Sequence, residues 1–166
     1  MSIMKRTLFA IAALASAILC GCDTEYPIVD WSPVNIYIYA TNQAGQSIIQ
    51  PDMPGMTLTF KGETYTVRDS RTPYDSIHTK AYMPVMYGLY AEAVDTTANP
   101  KEYRLCFGEI DGAADMDEDI TLNWPDGSTD VIHYHCSDHN ERKLSVKRTW
   151  KLNGKTHSGN TFYFTK

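Results

Sequence analysis

No stretch of this sequence repeats apolar residues at a helical period, which removes helix-built folds from consideration. It has no phosphate loop, no dinucleotide fingerprint and no Gly-x-Ser-x-Gly elbow, so it lacks the marks of the commonest nucleotide-binding and serine-hydrolase chemistries. No cofactor is implied by any motif. Positive charge is in deficit, with 15 Lys and Arg against 20 Asp and Glu. A nucleic-acid partner needs a basic footprint and finds none here. Cysteine is sparse at four residues, and two of these, Cys20 and Cys22, sit near the N-terminus. Internal repeats and low-complexity segments are absent.

What is present begins with Lys5-Arg6, an apolar run from Leu8 to Cys20, and a small-residue exit at Gly21. These are the three regions of an export signal. The run is short of the roughly 20 apolar residues that span a bilayer, and acidic Asp23 and Glu25 follow it. Removing residues 1–21 leaves 13 basic against 20 acidic residues, a formal charge near −7. That balance disfavours adhesion to anionic lipid through charge alone.

Leu19-Cys20-Gly21-Cys22 resembles the lipobox of bacterial lipoproteins, with an aliphatic residue three before the modified cysteine and a small one just before it. The resemblance implies that Cys22 becomes the lipidated first residue of the mature chain, so the membrane is a partner through covalent lipid. Asp23-Thr24-Glu25 is similar to the acidic tether that marks outer-membrane lipoproteins in Bacteroidetes-type bacteria. The tract through Asp30-Trp31-Ser32-Pro33 resembles the start of a family of small Bacteroidales lipoproteins. This implies an outer-membrane location, with possible exposure at the cell surface, and transfers no activity. The expected organisation is a signal peptide at 1–21, a lipidated tether at 22–33 and a single β-rich domain at 34–166.

Within that domain, alternation is the dominant pattern. Val34, Ile36 and Ile38 share one phase, and Asn35, Tyr37 and Tyr39 the other. Met56–Phe60 and Thr64–Val67 flank Lys61-Gly62-Glu63, a hairpin signal. Val85–Ala93 and Lys101–Phe107 read as further strands, followed by an acidic loop over Glu109–Asp119. Ile120–Trp124 and Thr129–Cys136 form a hairpin about Asp126-Gly127, and Leu144–Leu152 with Lys155–Thr165 form another about Asn153-Gly154. Arg68–Pro84, which contains His78, reads as a long surface loop. Some nine strands and no helix predict an all-β fold, an antiparallel β-sandwich of immunoglobulin-like or related topology, with a small barrel as the alternative.

Several residue sets could carry a site. Cys106 and Cys136 belong to a chain bound for an oxidising compartment, so they are read either as a disulfide or as two buried thiols. His133 and His135, two apart on a strand, point the same way, and His139 follows in the loop. With a third ligand they would make a zinc site for a small metal-dependent or hydrolytic enzyme. Asp115, Asp117 and Asp119 offer carboxylates at alternate spacing, which is a calcium-like pattern or a solvated turn. Trp31, Trp124 and Trp150, with the tyrosines, are the candidate aromatics of a surface that binds a glycan or an envelope protein. The leading expectation is a non-enzymatic binding or structural module of the cell envelope, with the zinc-dependent or hydrolytic enzyme second.

Overall fold

In the computed structural model the described residues are 33–68, 88–95, 97, 101–112, 114–140 and 145–166. Among these residues there are ten strands, and burial alternates along the first, second, sixth, eighth and tenth of them. They are β1 (Val34–Thr41), β2 (Thr57–Phe60), β3 (Glu63–Thr66), β4 (Leu89–Ala93), β5 (Tyr103–Ile110), β6 (Met116–Asn123), β7 (Thr129–Asn140), β8 (Ser145–Leu152), β9 (Lys155–His157) and β10 (Thr161–Thr165). They form a four-stranded sheet ordered β10-β1-β5-β4 and a six-stranded sheet ordered β3-β2-β6-β7-β8-β9. The result is an all-β, sandwich-like domain of two sheets with separate edges, not one closed barrel.

The core lies where the apolar phases of both sheets meet. Ile36, Ile38, Leu105 and Phe107 come from the four-stranded sheet, and Leu58, Ile120, Leu122, Ile132 and Tyr134 from the six-stranded one. Aromatic contacts join the layers. Phe60 meets Phe107 edge-on at 5.7 Å, and Trp150 meets Phe162 at the same centroid distance. Each fully buried side chain of this size contributes roughly 1.5–3 kcal/mol, so these pairs hold the sheets together.

Turn chemistry sets the hairpins. At Lys61-Gly62 and Asn153-Gly154 both central residues take positive φ, from 48° to 82°. That is the two-residue turn whose twist suits paired antiparallel strands.

Two expectations are corrected. The acidic loop is shorter than 109–119: β5 continues to Ile110 and β6 begins at Met116, because Met116, like Ile120, turns into the core. The final hairpin is also interrupted. Lys155–His157 pairs with β8, but β10 crosses to the other sheet and lies parallel to β1, with Tyr39 beside Tyr163. Phe162 and Phe164 are thereby buried.

Candidate functional site

The alternation that buries Ile36, Ile38, Leu105 and Phe162 must send their neighbours outward. On the outer face of the four-stranded sheet these neighbours are Tyr37 and Tyr39 from β1, Arg104 and Cys106 from β5, Glu92 from β4 and Tyr163 from β10. Strand register aligns Tyr163 with Tyr39 and Arg104 with Glu92. Since Ile38 lies opposite Leu105, Tyr39 falls opposite Arg104. A single row, Tyr163–Tyr39–Arg104–Glu92, therefore crosses all four strands.

Contacts along the row are continuous. The rings of Tyr39 and Tyr163 stack at 5.1 Å with planes 16° apart. Arg104 Nη1 donates to the Tyr39 hydroxyl at 3.3 Å. Its Nε and Nη2 both donate to Glu92 Oε2, at 3.0 and 2.7 Å. The guanidinium also lies over the Tyr37 ring, 4.3 Å from its centroid. Burial works against the Arg104 charge, but the bonds to Glu92 and Tyr39 outweigh it and raise its pKa. An ion pair this exposed adds roughly 0–1 kcal/mol to folding. The chief effect of the pair is to fix the guanidinium against the rings. Tyr163 remains 69% exposed.

Beside the row on the same face, Cys106 is buried and its thiol donates to Glu92 at 3.4 Å. Burial, reinforced by the Glu92 charge, pushes the thiol pKa up to about 12, so it is not a nucleophile at neutral pH. Cys136 lies in the core of the opposite sheet, whereas Cys106 belongs to the outward phase between core residues Leu105 and Phe107. Both thiols are free. The disulfide expectation is corrected accordingly: β5 itself stands between the two sulfurs.

The histidines and aspartates expected to act separately come together in two places: His133 and His135 with Asp117 and Asp119 on the outer face of the six-stranded sheet, and His139 with Asp115 beside the inward-facing Cys136. β6 and β7 pair Asp117 with His135 and Asp119 with His133. His133 Nδ1 lies 2.8 Å from Asp119, and its Nε2 lies 3.1 Å from Asp117. His135 Nδ1 is 3.2 Å from Asp117, and His139 Nδ1 is 2.7 Å from Asp115. The ladder borders a shallow groove of about 340 Å³ beside Lys61 and Thr59. No three His, Cys, Asp or Glu side chains among the described residues converge as a metal site. Neither the zinc nor the calcium reading gains a ligand set among the described residues: each ring pairs with a nearby aspartate, and Asp115 is engaged separately from Asp117 and Asp119.

The tryptophans are also reassigned. Trp150 is buried against Tyr134 and Phe162. Trp124 is buried against Phe164, with its indole N–H donating to Asp130 at 2.8 Å. Large rings at inward strand positions fill the core, so neither belongs to a surface patch. Trp31, Cys22 and His78 lie outside the described residues. Tyr163 and Arg104 were not singled out by sequence reasoning, although each sits at an outward position between buried neighbours. No helix among the described residues is long and apolar enough to cross a membrane.

No family model, curated protein or solved structure matches this chain.

Proposed function

We propose that this chain is a lipid-anchored protein of the cell envelope, held at the outer membrane through Cys22, whose β-sandwich is a non-enzymatic binding module. The observation that carries the reading is Leu19-Cys20-Gly21-Cys22 at the end of a short apolar run that begins just after Lys5-Arg6. Acyl chains on one thiol contribute about 0.8 kcal/mol per buried CH₂. A mature domain with a formal charge near −7 has no comparable electrostatic hold on anionic lipid.

The binding role draws support from the solvent-facing row on the four-stranded sheet. A ring exposed as far as Tyr163 adds little to the core, yet it is held in one orientation by its stack on Tyr39. The test is metabolic labelling with a palmitate analogue, followed by fractionation. The wild-type chain is expected to take up label and sediment with membranes. Cys22→Ala is expected to lose label and become soluble. An unmodified mature N-terminus by mass spectrometry, or a C22A chain that stays on membranes at wild-type levels, overturns the anchoring.

A further inference from the structure

We infer that the Tyr163–Tyr39–Arg104–Glu92 row is a binding site for an uncharged, hydroxyl-rich sugar chain. This deepens the proposed function and rests on its reading of the sandwich as a binding module.

The first argument is charge. Arg104 places two donors on one oxygen of Glu92. The cation and the carboxylate neutralise each other, so the row presents matched polarity without net charge. An anionic ligand would meet Glu92 and have to compete with it for the guanidinium, and a cationic ligand would have to displace Arg104. A neutral ligand rich in hydroxyls does neither. It can donate to the carboxylate and accept from the guanidinium while the pair stays intact.

The second argument is shape and chemistry. Tyr163 offers a flat ring with a negative π-face, and the C–H face of a pyranose is the neutral, weakly positive surface that complements it. The stack on Tyr39 fixes the ring beforehand, so a ligand loses little affinity to ordering it. Thr161 and Thr165 flank Tyr163 in the same outward phase of β10 and add hydroxyls beside the ring. At strand spacings near 4.8 Å the row spans about 14 Å across a sheet face. Small ligands prefer concave sites that bury most of their surface. A sheet face suits an extended chain whose successive units each make a modest contact. A protein partner would need a broad apolar centre, and the only large apolar side chains strongly exposed among the described residues are Val94 and Tyr163.

The test uses mature lipidated protein in detergent micelles. Calorimetry is run with hexaoses of glucose, mannose, xylose and N-acetylglucosamine, and with hexagalacturonate as the charged comparison. At least one neutral hexaose is expected to bind. Tyr163→Ala is expected to weaken it about tenfold or more, the scale of losing one aromatic contact. Tyr163→Phe, which keeps the ring, is expected to retain most of the affinity. Since Tyr163 is exposed, both variants should unfold at the wild-type temperature. The inference is overturned if no neutral hexaose binds, if Y163A binds as well as wild type, or if hexagalacturonate is preferred. Tyr163-dependent binding of an envelope protein without sugar binding would overturn the sugar and leave the binding-module reading standing. A C22A chain that stays on membranes at wild-type levels but still binds sugar through Tyr163 would support the site and sink the anchoring alone.

Discussion

Asp130 is the one buried charged side chain among the described residues, and removing its carboxylate should unseat the C-terminus. Three donors converge on it. Trp124 Nε1 donates to Oδ2 at 2.8 Å, Asn153 Nδ2 donates to Oδ1 at 2.6 Å, and Lys166 Nζ pairs with Oδ2. Lys166 also lies 4.8 Å from the Trp124 ring centroid, so one residue links the end of the chain to the core. In Asp130→Ala the Trp124 and Asn153 donors lose this acceptor at once, and Lys166 is left with Ser128 Oγ alone. Removing one partner of a buried pair costs about 3–5 kcal/mol. The Lys166 side chain is 15% exposed, so its ammonium can turn toward water, which favours the lower half of that range. Even so, the loss is a large share of the roughly 5–15 kcal/mol that holds a domain folded. Urea unfolding should show it as a lower midpoint with an unchanged slope, and calorimetry as a drop of about 10–20 °C. Lys166→Ala should cost less, because Trp124 and Asn153 still satisfy the carboxylate. The double variant should fall short of the sum by about 1 kcal/mol or more. A D130A loss below about 1 kcal/mol would refute this account.

The same carboxylate gives a pH dependence. Burial raises its pKa, but the bonds from Lys166, Asn153 and Trp124 outweigh this and hold it below its ordinary value. A depressed folded pKa stabilises above the unfolded value and fails as pH falls through the folded one. The advantage of wild type over Asp130→Asn should therefore be constant from about pH 5 to 8 and shrink below about pH 4. Cys106 and Cys136 should resist a thiol reagent in the folded protein and both react after unfolding; an intact mass short by two hydrogens would contradict the free thiols. Gly154→Ala meets no atom within 4 Å but must hold φ at 78°, so it should cost about 1–2 kcal/mol of backbone strain, read by thermal unfolding.

Much of the fold is legible because strand alternation is a local property. Ile36, Ile38, Leu105, Ile120, Leu122 and Phe162 occupy the inward phase that their spacing assigns, and Asn153-Gly154 supplies the backbone its turn requires. Other features were obscured by local composition. The aspartates of β6 suggest a loop, yet Met116 and Ile120 set a strand whose aspartates, Asp117 and Asp119, face outward. Trp124 and Trp150 have the composition of a binding surface but sit at inward positions, where volume decides their place.

By itself, the sequence determined that this is a strand-built domain, which side chains share a face on its alternating strands, and where its hairpin turns lie. Each of these follows from contacts between near neighbours in the chain. Only the tertiary structure decided that β10 leaves β9 to lie parallel to β1, because pairing strands so far apart in sequence is settled by which arrangement buries Phe162 and Phe164. That one choice sets Tyr163 on Tyr39 and completes the row to Arg104 and Glu92. It also brings Lys166 to Asp130.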